Sequence, residues 1–111
     1  MTTQKPIRLK LLNKWAGSNE ITFNTNLGTK LILIDYQDGV MTIDVEKGIS
    51  IQKTAELVEA CFLPGSEFTK RSSMFIDFKE IKFTFNDIQF CITKENCSAQ
   101  EIVSKYYWIH R

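Results

Sequence analysis

The sequence predicts an α+β fold: an antiparallel sheet, made of an N-terminal meander and a C-terminal hairpin, packed against two helices. Three observations carry this expectation. Residues 80–93 alternate strictly and fold back at Asn86-Asp87. Residues 20–46 hold two further turn signals between alternating runs. Two later stretches, opening at Ser50 and at Ser98, carry helical spacing behind a capping residue. One domain, residues 1–111, accommodates them all, since single domains run from about 50 to 200 residues.

The hairpin is the clearest element. A loop at Asn86-Asp87 opposes Phe85 to Ile88, Phe83 to Phe90 and Ile81 to Ile92, and all six fall on one face. The other face holds Thr84, Gln89, Lys82 and Cys91. Before it, Ile7, Leu9 and Leu11 alternate with Arg8 and Lys10, which predicts a first strand over 7–12, although Leu11-Leu12 also permits a helical turn. Trp15 to Asn19 reads as a loop. In the meander, a two-residue turn at Gly28-Thr29 would oppose Thr25 to Ile32, Phe23 to Ile34 and Ile21 to Tyr36. A second turn at Asp38-Gly39 would oppose Tyr36 to Met41, Ile34 to Ile43 and Ile32 to Val45. Leu31 and Leu33 then fall on the polar face with Asn24, Asn26, Asp35, Thr42 and Asp44, and are expected to pack under the N-terminal segment.

Ser50 is the expected N-cap of a helix reaching about Phe62. Ile51, Ala55, Val58 and Phe62 form its buried stripe, and Leu63-Pro64-Gly65 stops it. A polar connector over 66–73 follows. Met74, Ile76 and Phe78 predict another strand, but Ile81 lies out of phase with them, so a bulge or short turn is expected at Lys79-Glu80. Ser98-Ala99-Gln100-Glu101 has capping-box form and opens a last helix with Ile102, Val103, Tyr106 and Ile109 on one stripe.

Composition excludes more than it specifies. A hydrophobic fraction of 43% and a charged fraction of 24% are ordinary for a globular chain. Fourteen bases against 13 acids leave a net charge of +1, too little for a field that steers toward nucleic acid. No run of about 18 apolar residues offers a membrane span, and the N-terminus has no secretory pattern. Three irregularly spaced cysteines suggest no disulfide framework, so a reducing cytoplasm is the expected compartment. Abundant isoleucine, lysine, asparagine and phenylalanine match AT-rich coding, as in low-GC bacteria, their phages and mobile elements.

No motif points to a catalytic, cofactor or metal site. His110 is the single histidine and the penultimate residue. Cys97, just before the capping Ser98, is the one thiol placed where a helix N-terminus would stabilise a thiolate. Cys61 and Cys91 read as packing residues. Asp35, Asp44, Glu46 and Asp77 could share one sheet face, where solvation is the simple reading. Lys5, Arg8, Lys10, Lys14, Lys70 and Arg71 are the candidates for contacting nucleic-acid phosphates. Tyr106-Tyr107-Trp108 carries more. Consecutive helical residues point in different directions, so at least one large aromatic must reach the surface. Together with Trp15 these residues are the candidate protein interface, since Tyr and Trp are favoured anchors; the alternative is that the N-terminal segment or the loop over 64–73 covers them. The expectation is a small non-catalytic protein-binding module, with a protein partner or a second copy as its target and no membrane. An inhibitor or accessory protein of a phage or mobile element is its special case. A nucleic-acid binder, and a small-molecule binder or enzyme using Cys97, are the alternatives.

Overall fold

Glu80 to Thr93 folds as its alternation requires, and the rest of the sheet is built outward from it. The computed structural model describes residues 5–14, 20–69 and 77–109, with backbone only at 13, 14 and 69. Among these residues six strands make one sheet: β1 (Leu9–Lys14), β2 (Ile21–Thr25), β3 (Lys30–Gln37), β4 (Val40–Val45), β5 (Glu80–Phe85) and β6 (Ile88–Thr93), in that order across the sheet. Helix α1 (Ile51–Cys61) joins β4 to β5, and helix α2 (Ala99–Ile109) follows β6. All neighbours are antiparallel except β4 and β5, which run parallel because α1 carries the chain across.

The β5–β6 register is the expected one, Phe83 against Phe90 and Ile81 against Ile92. Asn86 and Asp87 both take positive φ, 48° and 67°, as a type I′ turn demands. Phe83 and Phe90 stack at 4.9 Å between centroids. The Asp38-Gly39 turn is of the same kind, with φ of 55° and 82°.

The first turn of the meander differs from expectation. The loop is Asn26-Leu27-Gly28, closed by Thr25 N–H donating to Thr29 O (2.9 Å) and Gly28 N–H donating to Thr25 O (3.2 Å). Gly28 supplies the left-handed residue, φ 82°, that ends a three-residue hairpin loop. Buried Thr25 Oγ1 reinforces the closure with a 2.8 Å bond to the same carbonyl. Phe23 therefore opposes Leu31, not Ile34. The shift is odd, so the faces of β3 exchange: Leu31 and Leu33 are buried, while Ile32 and Ile34 lie on the half-covered outer face. A β-bulge at Ile34 reconciles this with the second turn, because Leu33 opposes Ile43 while Tyr36 still opposes Met41. The two leucines are core residues and do not pack under the N-terminal segment alone.

The inner face presents Phe23, Leu31, Leu33, Met41, Ile43, Ile81, Phe83, Phe90 and Ile92 to the helices, all buried. Ser50 caps α1 by accepting from Lys53 N–H at 3.1 Å, and Ile51, Ala55 and Val58 point inward as expected, joined by Leu57. Phe62, the helix C-cap, is half-buried. Ile7 is fully buried, its carbonyl accepting from Glu67 N–H and its N–H donating to Ala60 O. The expected strand over 74–78 is not found at Asp77 and Phe78, and its other positions, Met74 and Ile76, lie outside the described residues. The chain bends into β5 at Lys79, where the N–H groups of Lys79 and Glu80 both donate to Gly39 O, at 2.8 and 3.3 Å.

Candidate interaction surface

The chemistry-bearing side chains are dispersed. Asp35 and Asp44 are exposed on the outer face of β3 and β4. Glu46 lies beyond the end of β4, where its carboxylate accepts from Lys30 N–H at 3.2 Å. Asp77 is in no strand, and its backbone carbonyl accepts from the Tyr36 hydroxyl. The four carboxylates thus form no common site, and among the described residues no His, Cys, Asp or Glu group of three or more could hold a metal.

Cys97 is half-buried, and its thiol donates to Lys94 O at 3.4 Å. Burial pushes the thiol up, and the Glu59 carboxylate adds to the rise. A backbone hydrogen bond and Lys94 pull the other way without cancelling it. The thiolate is disfavoured despite the neighbouring helix start. Cys61 is fully enclosed and pushed well up by desolvation, its Sγ donating to Leu57 O at 3.3 Å. Cys91 is exposed on the outer face of β6. Lys5, Arg8 and Lys10 are exposed around the start of β1. The side chain of Lys14, and Trp15, Lys70, Arg71 and His110, lie outside the described residues.

The C-terminal turn of α2 is where the geometry concentrates. Tyr106 is buried, its ring set edge-on to Phe85 at 5.3 Å and its hydroxyl accepting from Asn86 Nδ2 at 2.8 Å. That anchor fixes the rotation of the helix over the β5–β6 turn. The next three residues consequently face outward: Tyr107, Trp108 and Ile109 are 59%, 70% and 49% exposed. Tyr107 leans edge-on against the Tyr106 ring at 5.2 Å. Ile109 was expected on the buried stripe with Ile102, Val103 and Tyr106, but it is half exposed, three residues beyond the Tyr106 contact with the β5–β6 turn.

A feature that the sequence reading missed lies alongside. Among the described residues β6 is an edge strand, paired with β5 on one side alone. A groove of about 350 Å³ runs between it and α2, floored by Ile92 and Ile102 and walled by Asn96, Gln100, Glu101, Ser104 and Lys105. The Lys105 ammonium stands 5.7 Å over the Phe90 ring. A second opening, about 460 Å³, lies where β4 and β5 diverge beyond their short ladder of Val40–Thr42 with Glu80–Lys82. Asp44, Lys82, Thr84 and Gln89 line it. The uncharged run over 88–93 marks a strand able to pair on both sides, but its place at the edge needed the strand order.

Comparison with family models, with curated proteins and with solved structures yields no match. Among the described residues, no helix is long and apolar enough to cross a membrane.

Proposed function

We propose that this chain is a small, non-catalytic protein-binding module that engages a partner through the C-terminal turn of α2. The observation that carries the reading is the outward apolar cluster of Tyr107, Trp108 and Ile109, held in place by the buried Tyr106 anchor. Large aromatics that can be desolvated against a partner pocket supply most of the binding energy at protein interfaces. The partner it fits is a folded protein offering an apolar pocket of aromatic size. The near-neutral charge argues for such a partner over a polyanion. Small size and AT-rich residue usage support an inhibitor or accessory role in the cytoplasm of a bacterial host.

The test compares the native chain with the Tyr107→Ser/Trp108→Ser double variant in affinity capture from native lysate. A stoichiometric partner retained by the first and lost by the second, with both equally folded, supports the reading. Equal capture by both, or none by either, refutes it. Retention on heparin that persists in high salt would instead favour phosphate contacts.

A further inference from the structure

We propose that the chain forms a two-fold dimer in which the edge strands β6 of two copies pair antiparallel about Phe90, merging two sheets into one. The inference is independent of any partner at the α2 end. Phe85 and Ile88 flank the two-residue turn and oppose each other, and such a pair exchanges both of its ladder bonds. Alternation then turns the N–H and C=O of Ile88, Phe90 and Ile92 toward β5, and those of Gln89, Cys91 and Thr93 toward the open edge. Thr93 conforms, since its N–H leaves the ladder and donates to Asn96 Oδ1 at 2.7 Å. The edge-facing groups still available are those of Gln89 and Cys91. Among the described residues nothing else bonds to them.

A second copy of the same strand matches these groups. With Phe90 on the axis, Gln89 of each copy faces Cys91 of the other, and each opposed pair exchanges both bonds. Ile88 meets Ile92 on the core side, so the apolar face continues across the junction. A one-residue slip would set Phe90 against the outer face. Moving the axis to Cys91 would ask for the Thr93 N–H that Asn96 already holds, and would set Asp87 against Glu95. The Phe90 axis instead opposes Asp87 to Thr93, beside Lys94. No charge lies within 88–93 to oppose the pairing. Lys105 stands over Phe90 in each copy, but Glu101, one helical turn back in the same groove, lies within reach of its flexible stem.

Sedimentation of the reduced 111-residue chain, taken into the hundreds of micromolar, should show a dimer. Cys91→Pro removes an outward N–H that bonds to nothing else among the described residues, so it should weaken the dimer at least about tenfold while far-UV circular dichroism stays native. Should that variant misfold, cross-linking keeps the proposal testable. Gln89→Cys places a thiol directly opposite Cys91, and oxidation should give a covalent dimer that Cys91→Ser abolishes. In the native chain the two Cys91 residues are diagonal neighbours, at about 7–8 Å, too far apart for a disulfide. A monomer at all concentrations overturns the proposal, as does a native dimer linked through Cys91 or one unaffected by a folded Cys91→Pro variant. A monomer that still captures a partner through Trp108 refutes this inference and leaves the earlier reading standing.

Discussion

The sheet ends in two edges built differently. β1 carries a bulge between Leu11 and Asn13, and Lys10 is exposed on it. A bulge twists the edge and a lysine must be desolvated before another strand can approach, two devices that keep edges from pairing. β6 runs in unbroken register with β5 from Ile88 to Thr93, without bulge, proline or charge. Among the described residues its one protection is Asn96, which occupies the Thr93 N–H at 2.7 Å. Edges of one sheet thus differ in their readiness to accept a strand, and the difference is local chemistry, not overall composition.

The comparison needs β6 to be held firmly by β5, and the largest expected effect tests that. Phe83→Ala should cost about 3–5 kcal/mol, since it removes a fully packed ring stacked on Phe90. Thr84→Ala, exposed on the other face, should cost under about 1 kcal/mol. Urea denaturation of the two variants measures both; equal midpoints would mean that β6 is not pinned by this pair.

A thiol contrast comes next. Cys61 is buried with its pKa raised, so the folded state holds the proton more tightly than the unfolded chain. Its contribution to stability is complete below the ordinary cysteine range and is lost as pH rises above it, with a slope of at most about 1.4 kcal/mol per pH unit. Chemical denaturation at increasing alkaline pH should show this loss for the native chain and a shallower one for Cys61→Ala. Under native conditions a maleimide should label exposed Cys91 at once and Cys61 only through unfolding. Slow labelling of Cys91 in dilute monomer would show that the outer face of β6 is covered.

Asn96→Ala sharpens the comparison directly. It frees the Thr93 N–H, lengthens the open edge and should cost about 1 kcal/mol. Amide hydrogen exchange should then show Thr93 joining Gln89 and Cys91 as fast sites, while Phe90 and Ile92 stay protected. Uniform protection along β6 in the monomer would contradict the alternation. A comparably small effect is expected at the α2 terminus, where Tyr107→Ser and Trp108→Ser should each cost no more than about 1 kcal/mol. A larger loss would assign these residues to the fold rather than to a binding surface.

Local periodicity and turn chemistry made most of the fold legible. The register of 80–93 follows from alternation plus an Asn-Asp pair able to take left-handed backbone. Ser50 and Ser98 announce their helices because a hydroxyl there accepts an otherwise unsatisfied N–H, Lys53 in one case and Glu101 in the other. The surface position of Tyr107 and Trp108 was half visible, since helical geometry forbids three consecutive aromatics from sharing one core.

Other features were decided only by tertiary structure. In β3 the run Leu31-Ile32-Leu33-Ile34 is apolar on both faces, so alternation alone could not choose between them. The three-residue loop ending at Gly28 and the bulge at Ile34 made the choice. Cys97 looked activated from its place before a helix, yet the burial and the Glu59 carboxylate that raise its pKa come from packing against α1. Which strands became edges depended on α1 carrying the chain from β4 to a parallel β5. A strand's sequence specifies its two faces and its turns, because those are set within a few residues. Whether its outer rim meets a neighbour or solvent is set by chain segments far away, and that is why the open side of β6 could be found only in the folded molecule.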